Sequence, residues 1–151
     1  SKSGNFQTIK TLLENKANIN LKDNYGKTAL MYASINGNIE ATNFLIKNAS
    51  NVDDFDKNEW TALSWAIQKK QYDIAKALIK GGADINHEDN EGTSLLHYAI
   101  FNESEKIIEL LVNFGANLKT KDQYGLTPLV YALKSKNKII IDKIKSAGGR
   151  Y

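Results

Sequence analysis

The chain has 151 residues, of which 42% are hydrophobic and 25% are charged, and its formal net charge is +3. This composition is typical of a folded domain and unlike that of a disordered chain. The sequence contains no cysteine, which excludes disulfides, thiolate catalysis and cysteine-ligated zinc. No apolar run reaches the roughly 18 residues of a membrane span, and the polar first residues do not resemble a signal peptide. We therefore expect a soluble, cytoplasmic protein, with secretion without a signal peptide left open.

The first segment, residues 1–22, has the apolar spacing of one helix only. Gly4 and Leu12 align with Gly37 and Leu45 of the following segment. These residues therefore predict the second half of a repeating unit, whose first helix would precede the chain. The segment is either part of a longer array or a half unit that caps itself. We favour the first, because terminal units of repeat arrays normally carry a polar outer face.

The rest of the chain repeats one pattern with a period of 33 residues and no insertion or deletion. The copies span residues 23–55, 56–88, 89–121 and 122–151. In the last copy Asp122 and Gly125 have the chemistry of a turn. Thr127 then stands where a hydroxyl caps the first turn of a helix, and Pro128 falls at the first helical position. Thr28, Thr61 and Ser94 are the corresponding caps.

A second helix follows in each copy. These helices are predicted at 39–47, 72–80, 104–113 and 138–145. Gly82, Gly115 and Gly148 stand where such helices stop. Each copy is therefore predicted to consist of a turn and two short helices.

A 33-residue period with the phrase Thr-Pro-Leu-Val-Tyr-Ala at 127–132 resembles the ankyrin repeat family. The resemblance extends over residues 4–149. It implies an all-α solenoid of helix-turn-helix units joined by β-turn or hairpin fingers, with four full repeats after the half repeat. Residues 1–151 then form one domain. Its last unit, 122–151, is the C-terminal cap, because Lys145 replaces the apolar residue of earlier units.

Two departures from the family pattern are expected to lower stability. Ala29, Ala62 and Leu95 stand in place of the proline that Pro128 retains. Glu59 occupies the position of the finger glycine, so that it either adopts a positive φ at a cost of about 1 kcal/mol or changes the shape of the turn.

Ser94 and His97 are the nearest approach to a catalytic pair. Their three-residue spacing is also that of a helix N-cap and the following turn, and no orienting carboxylate or oxyanion-hole motif accompanies them. We therefore expect a structural His97, and His87 lies in a finger. No nucleotide-binding motif or metal-ligand pattern is present in the sequence. We expect no enzymatic activity, no cofactor and no metal.

In ankyrin repeats the finger tips and adjoining first helices form a concave surface that binds other proteins. The resemblance implies that surface here at Lys22, Asn24, Tyr25, Lys27, Ile35, Phe55, Lys57, Asn58, Trp60, Gln68, Glu88, Asn90, Glu91, Thr93, Phe101, Lys121, Gln123, Tyr124 and Leu126. A separate aromatic column recurs at equal spacing inside the first helices. We interpret it as packing, since binding residues should vary between units. It consists of Tyr32, Trp65, Tyr98 and Tyr131.

The expected function is a non-enzymatic scaffold that binds an unidentified protein partner. A passive spacer within a larger protein is the alternative, and it predicts a concave face as polar as the convex one. A basic cluster in the last unit is interpreted as a solvated capping face, and any nucleic-acid binding through it is expected to be weak and independent of base sequence. It comprises Lys134, Lys136, Lys138, Lys143, Lys145 and Arg150. We expect no small-molecule substrate, no membrane partner and a monomeric chain.

Overall fold

A computed structural model describes residues 11, 18–48 and 50–150. The chain divides into two compact units, Ser1–Ala83 and Asp84–Tyr151. Most of the predicted half repeat, including Gly4 and Leu12, lies outside the described residues. Over the described part of the chain the secondary structure is α-helical, without strands, as predicted. The fingers contain only isolated antiparallel bridges, Phe55 with Thr61 and Glu88 with Ser94.

The described helices of the first unit form two pairs. They are α1 (Ala29–Ile35) with α2 (Ile39–Lys47), and α3 (Ala62–Gln68) with α4 (Tyr72–Lys80). Each first helix packs against its own second helix, α1 packs against α3, and α2 packs against α4. First helices and second helices therefore form two separate layers within this unit.

The second unit has the same arrangement. It contains α5 (Leu95–Phe101) with α6 (Glu105–Asn113), and α7 (Pro128–Ser135) with α8 (Lys138–Ser146). Helices α5 and α7 form one layer, and α6 and α8 form the other. The predicted bounds of the second helices agree with the structure to within one residue, because the apolar spacing and the stop glycines are local signals.

The core consists of aliphatic side chains at helical spacing, with alanines at the points of closest approach. Leu63 and Ile67 of α3 and Leu78 of α4 are fully buried, as are Ala66 and Ala75. Alanine at such positions lets helix backbones come near one another without leaving a void. The same alternation of large and small residues recurs in the second unit at Leu96, Ala99, Ile108, Leu111, Ala132 and Ile140.

Three of the four predicted hydroxyl caps are confirmed. The Met31 amide donates to Thr28 Oγ1 at 3.3 Å, and the Ser64 amide donates to Thr61 Oγ1 at 3.2 Å. Ser94 caps α5 in the same way.

The prediction for Thr127 is wrong. Its hydroxyl donates to the Arg150 carbonyl oxygen at 2.8 Å and makes no cap bond. The Val130 amide, which the cap would have satisfied, donates instead to the Thr127 carbonyl oxygen at 3.0 Å.

Among the residues that the structure describes, four other than glycine have positive φ angles. Glu59 has φ 59°, so the finger that lacks glycine keeps its shape by adopting a strained backbone. The other three are Lys70, Glu103 and Lys136, with φ angles of 54°, 52° and 58°. They occupy the turn between the paired helices, where the corresponding residue of the first pair is Gly37, with φ 67°.

Candidate functional site

Each finger is closed by one aspartate that accepts two backbone hydrogen bonds. Asp56 Oδ1 accepts from the Asn58 amide at 2.9 Å and from the Trp60 amide at 3.1 Å. The same two bonds join Asp23 to Tyr25 and Lys27, Asp89 to Glu91 and Thr93, and Asp122 to Tyr124 and Leu126. The backbone of all four finger tips is therefore fixed by the same bonds.

The second oxygen of each aspartate accepts a hydrogen bond from an aromatic side chain nine residues later. Tyr32 OH donates to Asp23 Oδ2 at 2.7 Å, and Trp65 Nε1 donates to Asp56 Oδ2 at 3.0 Å. The Tyr98 and Tyr131 hydroxyls donate to Asp89 and Asp122, each at 2.5 Å. The aromatic column thus belongs to the frame, as predicted, but it acts as a row of hydrogen-bond donors as well as by packing.

These bonds shift the pKa values of the groups that form them. The bond to Asp122 raises the pKa of Tyr131 to about 12, because deprotonation would place two negative charges side by side. Burial acts to raise the pKa of Asp122, but the bonds from Tyr131, Leu126 and Tyr124 outweigh it and leave that pKa lowered. Both groups are therefore held in the states that keep the hydrogen bond at neutral pH.

His97 takes part in a capping box. Its Nδ1 accepts from the Ser94 amide at 3.2 Å and lies 2.8 Å from Ser94 Oγ, while its Nε2 lies 3.1 Å from the Leu126 carbonyl oxygen. Because Nδ1 accepts, the proton is on Nε2, which donates to the Leu126 carbonyl. Burial lowers the pKa of His97 and so favours this neutral form. Both Ser94 and His97 are buried, so the pair acts as the predicted cap.

Large aromatic side chains project from this frame. Tyr25 and Phe55 in the first unit are 67% and 50% exposed, and Phe101 and Tyr124 in the second unit are 75% and 72% exposed. Trp60 differs, since it is half-buried and its ring lies 4.8 Å from that of Trp65. The Trp60 ring is therefore packed partly against the aromatic column instead of projecting fully.

Two lysines of the predicted surface contact the neighbouring finger of the first unit. Lys22 Nζ donates to the Phe55 carbonyl oxygen at 2.9 Å and lies 3.3 Å from an Asp54 carboxylate oxygen. Lys27 Nζ lies 3.5 Å from Asp56 Oδ2 and 4.7 Å from the centre of the Trp65 ring. These side chains join successive fingers.

The finger backbones are also joined directly. In the first unit the Lys57 amide donates to the Tyr25 carbonyl oxygen at 3.1 Å, and in the second the Gln123 amide donates to the Glu91 carbonyl oxygen at 2.9 Å. The other predicted surface residues differ in exposure. Asn24, Lys57, Asn58, Glu88, Asn90, Glu91, Lys121 and Gln123 are exposed, whereas Ile35, Gln68, Thr93 and Leu126 are half-buried.

The aspartates were predicted only as turn residues, and their bonds to the aromatic column were not predicted. The signal was present, since every copy has an aspartate followed nine residues later by tyrosine or tryptophan. Among residues 11, 18–48 and 50–150, no group of three or more His, Asp or Glu side chains is arranged to hold a metal ion. In that same part of the chain no helix has both the length and the hydrophobicity that crossing a membrane requires.

Comparison with known proteins gave one family. The chain matches the family model described as ankyrin repeats (three copies) at residues 1–89 and 81–146. No curated protein was found to match it. The two matched ranges together cover nearly all of the sequence, and the helix pairs and closed fingers agree with them. The chain belongs to the ankyrin repeat family.

Proposed function

We propose that this chain is a non-enzymatic scaffold that binds a partner protein through its finger tips and the adjoining first helices. Ankyrin repeats are generally protein–protein interaction modules, and the family is typically non-enzymatic. The proposal therefore concerns which residues of this chain make the contact. A fold alone does not identify a partner, so the argument depends on the side chains of the site.

The main support is a backbone position that is constant in geometry and variable in side chain. The residue two after each finger aspartate donates its amide to that aspartate at 2.9–3.0 Å. The side chains at this position are Tyr25, Asn58, Glu91 and Tyr124, and all four are exposed. A frame contact would require the same type of side chain in every unit, such as the finger aspartate or the aromatic donor of the column. Variation at a fixed position is what recognition of a specific partner requires.

The exposed aromatics provide the binding energy in this proposal. Burial of an aromatic side chain removes roughly 150–250 Å² from water, and at about 25 cal/mol per Å² the exposed part of Tyr124 or Phe101 contributes about 2 kcal/mol or more. Because the finger backbone is already held by hydrogen bonds, little conformational entropy is lost on association. Tyrosine is also among the residues that dominate interface hot spots.

A passive spacer would be expected to carry a polar surface here, and the exposure of Tyr25, Phe55, Phe101 and Tyr124 argues against that alternative. The basic cluster gives no support for nucleic-acid recognition as the main function. Lys143 pairs with Glu109 at 2.7 Å, and the ammonium of Lys134 lies 5.6 Å from the centre of the Tyr131 ring.

The test is affinity capture from the source cell with three variants of the whole chain. Tyr124→Ala and Phe101→Ala should each weaken retention of the same partner by about tenfold or more, which corresponds to about 1.4 kcal/mol. Phe114→Ala is the matched control, because Phe114 is an aromatic residue that is 46% exposed but lies outside the proposed surface. All three variants should keep the wild-type helical content.

Equal loss of the partner in all three variants would indicate nonspecific adsorption to exposed aromatics. Retention of the partner by both Tyr124→Ala and Phe101→Ala would contradict the proposed surface.

A further inference from the structure

A groove runs between α2 and α4 on the second-helix layer of the first unit, away from the fingers. Its volume is about 450 Å³. The half-buried Ile46 and Ala77 line it together with the exposed Lys47, Lys76 and Lys80. It contains no residue of the finger surface proposed above, so a ligand in this groove would be additional to the partner bound there.

Between α2 and α4 the first unit lacks an ion pair that bridges the corresponding helices of the second unit. Between α6 and α8, Lys143 Nζ and Glu109 Oε2 lie 2.7 Å apart and bridge the two helices. Two repeats earlier the same positions hold Ala77 and Asn43, and neither carries a charge. The apolar surface between α2 and α4 is therefore not covered by a bridge of this kind.

A glycine keeps one end of the groove open. A Cβ atom at Gly81 would lie 2.8 Å from Ile46 Cγ2, closer than real side chains approach. The corresponding residue two repeats later is Ala147. Gly81 thus lets the end of α4 approach Ile46 and leaves that isoleucine accessible from the groove.

The charge of the groove is positive. Three lysine ammonium groups line it, whereas Asp73 contributes the single carboxylate of the lining. Within the described residues, no carboxylate forms an ion pair with Lys47, Lys76 or Lys80. Lys76 lies over the Tyr72 ring at 5.9 Å from its centre, and that contact leaves the positive charge uncompensated. An apolar strip flanked by such ammonium groups is complementary to a ligand with carboxylates around an aliphatic side chain.

We propose that this groove binds an acidic peptide segment of a partner protein. Its carboxylates contact Lys47, Lys76 and Lys80, and one aliphatic side chain packs against Ile46 and Ala77. A nine-residue helix such as α2 is about 13 Å long. The groove therefore accommodates about two turns of a bound helix or four extended residues. A ligand segment of this length buries much less surface than a standard protein–protein interface does. Binding is therefore weak and depends strongly on salt.

The experiment is an NMR titration of the whole chain with the amidated and acetylated hexapeptide Glu-Glu-Leu-Asp-Glu-Leu. The expected result is saturable shifts of the Ile39, Ile46 and Ala77 methyl signals, with affinity that falls at least tenfold between about 50 mM and about 500 mM salt. A hexapeptide of the same length in which lysine replaces every acidic residue should produce no saturable shift. Absence of saturable shifts with the acidic peptide at low salt would overturn the proposal.

Two variants separate groove binding from general attraction to a basic surface. Asn43→Glu with Ala77→Lys reproduces the Glu109–Lys143 pair without changing the net charge, and it should abolish binding by covering the apolar strip. The unfolding midpoint of this variant should stay near that of the wild type, since an exposed ion pair changes stability little.

The second variant, Lys47→Glu with Lys80→Glu, should weaken binding at least tenfold. Its matched control is Lys106→Glu with Lys119→Glu, which changes the net charge equally in the other unit and should bind as the wild type does. If the ion-pair variant binds the peptide with wild-type affinity, or if the control loses as much affinity as the groove variant, the site is not this groove.

Discussion

The finger aspartate provides the sharpest test of how this array is held together, and Asp122 is the best position for it. Asp122 is buried, and its carboxylate accepts from the Tyr124 amide at 3.0 Å, the Leu126 amide at 2.9 Å and the Tyr131 hydroxyl at 2.5 Å. Asp122→Ala removes all three bonds at once. We expect this substitution to be strongly destabilising, although it deletes a side chain that contributes nothing to the apolar core.

The magnitude follows from the three bonds and from the surroundings of their donors. A hydrogen bond to a charged group contributes about 1.5–3 kcal/mol when its donor stays buried. Here Tyr124 is exposed and Leu126 and Tyr131 are half-buried, so all three donors have access to water in the variant, and about 1 kcal/mol for each bond is the better figure. Removal of a buried charge returns about 1 kcal/mol of desolvation. The net expectation is a loss of about 2 kcal/mol.

Urea denaturation followed by circular dichroism at neutral pH measures this loss. Tyr131→Phe removes only one bond and should cost about 1 kcal/mol, so the two variants should differ. Asp23→Ala removes the same set of bonds from an exposed aspartate and should cost less than Asp122→Ala. The two variants remove the same pattern of hydrogen bonds, but the aspartate is buried at 122 and exposed at 23.

The pH dependence gives an independent signature. The folded-state pKa of Tyr131 is about 12, above its ordinary value of 10.0, so its stabilising contribution is complete below pH 10 and is lost as pH rises toward 12. The folded-state pKa of Asp122 is lowered from 3.8, so its contribution is present above that pH and is lost as pH falls below it. Asp122→Asn should flatten both ends of the profile. A loss below about 0.5 kcal/mol for Asp122→Ala, or an unchanged Tyr131 pKa in Asp122→Asn, would refute the reasoning.

Three further predictions concern the backbone and His97. Lys70→Gly should raise the free energy of unfolding by about 0.5–1 kcal/mol in urea denaturation, because Lys70 has φ 54°. The neighbouring change Lys69→Gly should lower the free energy of unfolding, because Lys69 has φ −89°. Gly26→Ala should cost more than Gly125→Ala in the same assay. Both have positive φ, but only at Gly26 would the new Cβ lie 3.1 Å from the next finger's backbone. Because burial lowers the pKa of His97 from 6.5, stability should fall as pH drops below 6.5, and an NMR titration of His97 should show its depressed pKa.

Each of these predictions has a contrary result. Equal effects of glycine at Lys69 and Lys70 would show that the positive φ of Lys70 carries no strain. Equal costs at Gly26 and Gly125 would show that the close approach of successive fingers is easily relieved. A His97 pKa above 6.5 in the folded state would reverse the sign of its pH dependence.

The repeat period, the helix bounds and most of the caps were predictable from the sequence because their causes are local. Apolar spacing and stop glycines act within one or two turns, and a hydroxyl caps an amide three residues away. The positive φ of Glu59 was one of two outcomes expected from its alignment with the finger glycines, the other being a turn of changed shape. A structural role for His97 was also expected, since its three-residue spacing from Ser94 is that of a helix N-cap and the following turn.

The positive φ angles of three turn residues were not predicted from the local sequence. These residues are Lys70, Glu103 and Lys136. Their left-handed conformation is unfavourable for each residue alone, and it persists because the packed helix pair on either side fixes the turn. The sequence of the turn gave no sign of it beyond the alignment with Gly37.

The partners of the polar side chains were decided only by the tertiary structure. The bond from Tyr131 to Asp122 spans nine residues and forms because α7 folds back on its own finger, and the Thr127 hydroxyl turns from its local amide to the Arg150 carbonyl 23 residues away. The groove between α2 and α4 is likewise lined by residues of two different helices, among them Asn43 and Ala77. Sequence determines which groups are able to bond or pack, whereas the competition among distant partners is resolved only when the helices are in contact.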